Sequence, residues 1–260
     1  MFEKIADYCE KFGDKMGIVL EDLCTGEKLE KNPDISFSSA SLIKYPIMWS
    51  LFEQVSEGKI DLQEVHALVK EDKAGSSVYD SSVLRELHEG IPLTLEDCLN
   101  FMIVISDDTA TNIIMKKLGF ETMNASFARL CLKGTKAGRL MMDYEGLEHG
   151  RDNFISAGDM NRLSEILCRD EILDHTFNQQ MLGILLRQRH NDAVNKHYPM
   201  DIPYAHKGGC IRQYGIDHDC GILYKDGKPA VLVNVCTRFV ENSREEINHI
   251  GDMLYECIYK

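Results

Sequence analysis

Ser41 and Lys44 stand three residues apart at the start of an apolar segment, FSSASLIKYPIMWSLFEQ, at 37–54. If the chain is helical from Ser41 onward, the two side chains share one face, and the lysine amine can reach the hydroxyl. A serine beside a base can act as an acyl-transfer nucleophile, and the free N–H groups at a helix start favour a bound oxyanion. Pro46 predicts an irregular or bent start. The alternative is a polar pair at a helix end.

Two further polar groups could join this pair. Ser106 and Asp108 fall in a predicted tight turn between two helical segments, where serine and aspartate are also preferred helix caps. Lys207 ends one predicted strand and leads through Gly208 and Gly209 into another sheet segment. Glycines at that point would let a ligand approach the backbone closely.

Copies of these patterns elsewhere in the chain provide a control. Ser56 and Lys59 repeat the S-x-x-K spacing where a helix ends, and Lys73, Lys136 and Lys225 repeat K-x-G at predicted turns. Spacing alone is therefore a weak signal. The Ser41–Lys44 pair differs from its copy by its position at a helix start, and Lys207 differs from its copies by its position beside a sheet.

The segments around these residues predict an α+β fold. Residues 17–32 have the pattern of a hairpin, helical patterns dominate from about 41 to 188, and strand patterns return near 202. The last strands form a hairpin that turns at Asp226-Gly227. We therefore expect one antiparallel sheet built from the N- and C-terminal segments and packed with helices.

This pattern predicts a single domain at 1–260. Its sheet lobe would comprise about 1–38 and 202–260, beside an all-helical lobe at about 39–201. Clefts at such boundaries are common ligand sites.

Composition excludes several classes of protein. The net charge of −13 and pI near 5.1 disfavour nucleic acid and anionic membranes as partners. The first residues lack the basic start of a signal peptide, and no segment reaches the roughly 18 apolar residues of a membrane span. The sequence therefore predicts a cytoplasmic protein without a nucleic acid or membrane partner.

Cysteine and histidine spacing predicts no metal and no cofactor. The nine cysteines contain no C-x-x-C pair, and the nine histidines contain no H-E-x-x-H motif. His190, His197 and His206 lie in a loop-like region, where we expect surface roles.

The motifs S-x-x-K, S-D-x and K-x-G, in this order and between two terminal hairpins, resemble the signature of class A β-lactamases and penicillin-binding proteins. The resemblance covers about residues 16–257. LTLEDCLNFMIVISDDTATN is similar to the family's buried helix and second motif, and GRDNFISAGDM to the exit of its Ω-loop. The resemblance implies a β-lactamase-like serine hydrolase that acts on a small-molecule amide or ester, with β-lactams as the family substrate.

The resemblance also implies a role for each motif residue. Ser41 would be the acyl nucleophile and Lys44 its proton acceptor. Ser106 would pass a proton to the leaving group, while Lys207 would steady Ser106 and attract a substrate carboxylate. The backbone N–H groups of Ser41 and Cys210 would form the oxyanion hole.

The chain departs from the family pattern within the second and third motifs. Asp108 replaces an asparagine, and its carboxylate would accept hydrogen bonds and hold the proton on Lys44. We therefore hypothesise a substrate that presents a donor to Asp108. Gly208 and Gly209 would lie along the substrate. Gly208 stands where the family has a residue with a hydroxyl group, so we expect a lower affinity for β-lactams.

The third departure concerns hydrolysis of the acyl-enzyme. The segment similar to the Ω-loop is shortened and lacks the E-P-x-x-N pattern that carries the deacylating glutamate. Asp143, Glu145 and Glu148 are possible substitutes, although solvated loop charges are the simpler interpretation. Two alternatives follow: a cytosolic peptidase or esterase with little β-lactamase activity, and a binding or sensor protein that is acylated without turnover.

Overall fold

A computed structural model describes residues 1–75 and 82–260. The strands are β1 (Met16–Asp22), β2 (Lys28–Lys31), β3 (Phe37–Ser38), β4 (Val65–Ala67), β5 (Pro92–Thr94), β6 (Phe154–Ile155), β7 (Tyr204–Ile211), β8 (Ile216–Lys225) and β9 (Lys228–Thr237). The helices are α1 (Glu3–Cys9), α2 (Lys44–Ser56), α3 (Leu95–Val104), α4 (Asp108–Leu118), α5 (Phe120–Arg129), α6 (Tyr144–Glu148), α7 (Ala157–Arg169), α8 (His175–Leu185) and α9 (Ser243–Tyr259).

The two ends of the chain build one antiparallel sheet in the order β2-β1-β9-β8-β7. Ile18 of β1 lies opposite Val235 of β9, so sequence-distant strands are neighbours at the centre of the sheet. The hairpin between β8 and β9 turns at Asp226 and Gly227, both with positive φ, as expected for this dipeptide. The α+β fold predicted from the sequence is confirmed.

Helices cover both faces of the sheet, which explains why every residue of β1 is buried. Helices α1 and α9 pack on one face, where Ile5 and Leu254 meet the apolar residues of β1 and β9. Helix α7 packs on the other face against β1, β8 and β9. Burial of each large apolar side chain contributes about 1.5–3 kcal/mol, so these layers hold β1, β8 and β9 firmly together.

The lobe at 39–201 is not all-helical, which corrects the prediction. β4 pairs with β5 inside it, and β6 pairs with β3 across the boundary between the lobes. These strands are only two or three residues long, which is too short to show the alternation typical of a strand, so the sequence did not predict them. Helix α7 also lies against the sheet, so the lobe boundary is less simple than predicted.

Helix α2 is the centre of the molecule. All of its residues from Lys44 to Gln54 are buried, including Trp49. It contacts α3, α4, α5 and α8, and the turn that precedes it contacts β7 and β8. The first residue of α2 therefore lies where the helices meet the sheet.

Candidate active site

Ser41 lies in a short 3-10 turn, Ala40–Ile43, that leads directly into α2 at Lys44. The irregular helix start predicted from Pro46 is confirmed. Pro46 falls in the first turn of α2, where backbone N–H groups have no helical partner in any case. Ala40 has a φ of 45°, a conformation that a residue with a side chain adopts only when its surroundings hold it there. Ser41 is half-buried and remains reachable from solvent, whereas Lys44 is buried.

The Lys44 ammonium lies at the centre of the site and contacts its other polar groups. Its Nζ lies 3.2 Å from Ser41 Oγ, 3.1 Å from Ser106 Oγ and 2.6 Å from the Ser106 carbonyl oxygen. It also donates to Asp108 Oδ1 at 2.7 Å. Four oxygens thus surround one amine that has three protons to donate, and both proposed serine hydroxyls are in contact with it.

Ser106 occupies the turn between α3 and α4 with a φ of 62°. This left-handed conformation ends α3, a position that usually favours glycine. The side chain of Asp107 caps α4 by accepting a hydrogen bond from the Ala110 N–H. The cap and the catalytic interpretation of this turn are therefore compatible, because Asp107 supplies the cap while Ser106 and Asp108 face Lys44.

Lys207 lies on the other side of Ser106 and is also buried. Its Nζ lies 3.0 Å from Ser106 Oγ and 2.6 Å from the carbonyl oxygen of Gly208. Among the described residues no carboxylate forms an ion pair with it. Burial, followed by the positive charge of Lys44, lowers the pKa of Lys207 to about 7. Lys207 can therefore lose its proton near neutral pH.

Gly209 allows the edge strand β7 to approach the serine turn. A Cβ on this residue would lie 2.6 Å from the Ser41 nitrogen and 2.7 Å from the Leu42 nitrogen. The next residue, Cys210, is exposed beside the turn. The strand therefore reaches the Ser41 backbone only because no side chain intervenes.

Two tethers hold the segment before Ser41. The His218 ring of β8 donates from Nε2 to the Ser38 carbonyl oxygen at 2.8 Å, since its Nδ1 faces the Thr237 N–H. On the other side, the Ser38 hydroxyl donates to Asp152 Oδ2 at 2.6 Å, and Arg139 donates to Asp152 Oδ1 at 2.8 Å. Sequence reasoning missed both tethers, because their partners are more than a hundred residues away in the chain.

The Arg139–Asp152 pair closes the loop that contains the three candidate bases. Asp143 accepts a hydrogen bond from the Gly146 N–H and so caps α6. Glu145 and Glu148 are exposed. The structure describes no contact between these acids and Ser41 or Lys44.

Met141 is the residue of this loop that is tied to α4. Both of its backbone groups pair with the side-chain amide of Asn112, one turn beyond Asp108. The loop therefore meets the helix of the second motif through the backbone of an apolar residue and not through a carboxylate.

The expectation of surface roles is wrong for His206. Its ring is buried between Asp219, 2.7 Å from Nδ1, and Asn191, 3.0 Å from Nε2. It also stacks on Tyr204, with ring centroids 4.2 Å apart. Period-two alternation along β7 puts His206 on the sheet face opposite Lys207. His190 and His197 are exposed, as expected.

The described part of the chain contains no cluster of His, Cys, Asp and Glu suited to a metal ion. The same residues include no helix with the length and apolarity needed to cross a membrane. The cytoplasmic location stays a prediction.

Fold and site together define a serine hydrolase scaffold, in which a serine at a helix start contacts one lysine, and a second serine bridges that lysine and another. A family model described as "Beta-lactamase enzyme family" matches residues 1–258. The chain therefore belongs to the beta-lactamase enzyme family.

Known proteins of similar sequence are distant relatives. A beta-lactamase of Streptomyces fradiae is 23% identical over 239 residues, which is 89% of this chain and 76% of that protein. Beta-lactamase VEB-1 of Pseudomonas aeruginosa is 22% identical over 116 residues, which is 45% of this chain and only 38% of that protein.

Solved structures share the fold along nearly the whole chain. The beta-lactamase from Sphaerobacter thermophilus DSM 20745 has a TM-score of 0.86 at 25% identity and covers 98% of this chain and 95% of its own. The match with PBP-A has a TM-score of 0.85 at 23% identity and covers 98% of this chain and 95% of the PBP-A chain. A variant of PBP-A, at 24% identity, with a TM-score of 0.86 and coverage of 98% and 94%, was solved as an acyl-enzyme complex with penicillin G.

Proposed function

We propose that the protein is a serine hydrolase that cleaves an amide or ester through an acyl-enzyme on Ser41, with β-lactams as the family substrate. One observation carries the proposal: Lys44 Nζ contacts the hydroxyls of both Ser41 and Ser106. A nucleophile, a base and a second hydroxyl that can protonate the leaving group are thus within direct reach of one another. The PBP-A acyl-enzyme with penicillin G supports the substrate class.

The contacts suggest a route for the Ser41 proton. Asp108 stabilises the ammonium form of Lys44, whereas Lys207, whose pKa is about 7, can be neutral. Ser106 Oγ bridges the two amines at 3.1 and 3.0 Å. When Ser41 attacks the carbonyl carbon, its proton would pass to Lys44 as Lys44 passes one to Ser106, and Ser106 passes its own to Lys207. Three protons move one place each, and the net charge is conserved because the cation formed at Lys207 balances the oxyanion formed on the substrate.

The remaining groups have positioning and binding roles in this proposal. The backbone N–H groups of Ser41 and Cys210 would hold the oxyanion, and Gly208 and Gly209 would lie along the substrate. Asp108 is almost fully buried and one of its oxygens contacts Lys44, so a substrate donor would have to reach the other oxygen. That the substrate donates a hydrogen bond to this second oxygen of Asp108 stays a proposal.

A second candidate function is an acylatable binding or sensor protein without turnover. It is favoured by the loop at 139–152, in which the three candidate bases are exposed or used as a helix cap while the Met141 backbone is bound to α4. Without a base for the hydrolytic water, the acyl-enzyme would persist. A peptidase or esterase with little β-lactamase activity is a variant of the first proposal, favoured by the missing hydroxyl at Gly208.

Intact-protein mass spectrometry tests these candidates directly. The protein is incubated with benzylpenicillin and, separately, with a fluorophosphonate, and wild type is compared with Ser41→Ala and the control Ser56→Ala. Adducts in wild type and Ser56→Ala but not in Ser41→Ala support the nucleophile. Fast decay of the penicillin adduct indicates a hydrolase and persistence indicates a sensor, while a fluorophosphonate adduct alone indicates an esterase. No Ser41-dependent adduct from either probe would overturn the proposal.

A further inference from the structure

A second cavity lies between α3 and the segment that follows α8. It is a groove of about 420 Å³, and none of the four candidate catalytic residues lines it. The groove is therefore separate from the candidate active site. Its lining residues are Asn100, Phe101, Val104, Ile105, Arg187 and Arg189.

The base of the groove is one apolar face at the end of α3. Phe101, Val104 and Ile105 have the i, i+3, i+4 spacing that puts side chains on one side of a helix. All three are partly exposed. Phe101 and Val104 pack against the core and also line the groove, so part of each side chain is left for a ligand.

The two walls of the groove are hydrogen-bonded to each other. The Arg189 N–H donates to the Val104 carbonyl oxygen at 3.0 Å, and the Gln188 side chain donates to the Ile103 carbonyl oxygen at 2.8 Å. The Arg187 guanidinium donates to the side-chain oxygen of Asn100. These bonds form the groove before any ligand arrives, so binding costs little ordering of the protein.

The charges that line the groove are two arginines, Arg187 and Arg189, both exposed. A guanidinium is always charged in a protein. Arg129 and Arg139 are each paired with a carboxylate, whereas no described carboxylate forms an ion pair with Arg187 or Arg189. In a chain of net charge −13, two neighbouring cations without an acidic partner are a local exception. They complement an anionic group at the edge of an apolar groove.

We propose that this groove binds the free monomer of a single-chain carboxylate, with the alkyl chain on α3 and the carboxylate at Arg187 and Arg189. The planar fork of arginine matches the geometry of a carboxylate. A second copy of the chain fits less well, because two molecules of net charge −13 repel each other. An anionic membrane is repelled in the same way, and it would need an apolar surface that protrudes.

Decanoate below its micelle concentration is the probe, and calorimetry measures its dissociation constant. Wild type is compared with the double variant Arg187→Gln/Arg189→Gln, in which a glutamine can still donate to Asn100. The control is Arg151→Gln, which removes another exposed arginine. We expect binding to be roughly 10–100-fold weaker in the double variant, through loss of charge-assisted hydrogen bonds, and unchanged in the control. Equal affinity in wild type and the double variant, or no binding to wild type, would overturn the inference.

Two related ligands test the two halves of the site. Hexanoate keeps the carboxylate and lacks four methylene groups, so it should bind at least about tenfold more weakly than decanoate. Decyltrimethylammonium keeps the chain and reverses the charge, so it should also bind at least about tenfold more weakly. A cation that binds as well as decanoate would contradict the role of the arginines.

Methyl NMR locates the ligand. Decanoate should shift the methyl signals of Val104 and Ile105 and leave those of Leu42, next to Ser41, unchanged. Shifts confined to Leu42 would place decanoate in the serine cleft and overturn the inference. Binding only to vesicles of anionic lipid, or a dimer in sedimentation that the double variant abolishes, would also overturn it. These measurements require no acylation of Ser41, so their outcome is independent of the proposed function.

Discussion

The Asp108 carboxylate and the Lys44 ammonium form a buried ion pair at 2.7 Å, with the lysine side chain fully inaccessible to solvent. The pair lies directly beside a second buried lysine that has no such partner among the described residues. One carboxylate thus makes two nearby amines chemically different. Lys44 is paired with a carboxylate, while the pKa of Lys207 falls to about 7 because of its burial and the positive charge of Lys44.

Acylation should therefore depend on the ionisation of Lys207. Its neutral form accepts the relayed proton, so the acylation rate constant should rise with pH through about 7 and then level off. Asp108→Asn removes a negative charge that raises the pKa of Lys207, so its profile should move to lower pH. Stopped-flow acylation over pH 5–9 measures both, with the exposed Glu145→Gln as control. Identical profiles for wild type and Asp108→Asn would contradict the proton route.

Removal of the Lys207 amine should stabilise the fold. A lysine whose folded-state pKa is lowered from 10.5 to about 7 opposes folding fully below pH 7, and this cost fades between pH 7 and 10.5. Lys207→Met should raise the free energy of unfolding by about 1–3 kcal/mol at pH 6 and by less at pH 9, while abolishing acylation. Urea unfolding at both pH values checks this, and the exposed Lys225→Met should show little change at either pH. A destabilised Lys207→Met would show that the amine contributes more by its contacts than it costs by its burial.

Gly209→Ala should damage the site without unfolding the protein. The added methyl group would lie 2.6 Å from the Ser41 nitrogen and must push β7 and the serine turn apart. A displacement of this kind can lower the acylation rate about 100-fold. Gly183→Ala in α8 is the matched control, because nothing lies within 4 Å of its Cβ position. Equal fluorophosphonate labelling of the two variants would refute the close approach.

The His218 tether should affect reactivity more than binding. His218→Phe removes the donor to Ser38 and should lower the acylation rate constant about tenfold with little change in the dissociation constant of the initial complex. His218→Gln can place an N–H near the same carbonyl and should restore most of the rate. If both variants lose rate and affinity alike, the imidazole serves packing and not the geometry of Ser41.

The loop acids should be dispensable for loss of the acyl group. Glu145→Gln and Glu148→Gln alter exposed side chains, so the lifetime of the penicillin adduct should stay within about twofold of wild type. Asp143→Ala should loosen α6 through loss of its cap, at a cost of about 1 kcal/mol. Mass spectra recorded during adduct decay decide this. A tenfold longer lifetime in any one variant would identify it as the missing base.

The sequence was informative wherever the chemistry depends on neighbours along the chain. Ser41 and Lys44 share a face because they are three residues apart, and the turn that contains Ser106 follows from its position between two apolar helices. Lys207 could be distinguished from Lys225 because it ends a predicted strand, whereas Lys225 lies at a predicted turn. These are local relationships, so pattern and position suffice to predict them.

Long-range contacts were not predictable in this way. Nothing near His218 or Asp152 in the sequence points to Ser38, and His206 lies in a polar region although its ring is buried against Asp219. The carboxylate of Asp108 was expected to affect both Lys44 and the substrate, and only the folded arrangement shows that one of its oxygens contacts the lysine. Burial and pairing across the sheet are properties of the assembled chain.

The central pairing of β1 with β9 has a consequence for biosynthesis. β9 is synthesised long after β1, so β1 can pair with β2 at once while its other edge must wait, unpaired, as the helices are made. Such sequence-distant pairing is slow because a long loop must close before any contact is gained. A nascent chain stalled before β9 would already contain Ser41, Lys44, Ser106 and Lys207, yet it would lack the surface that brings them together.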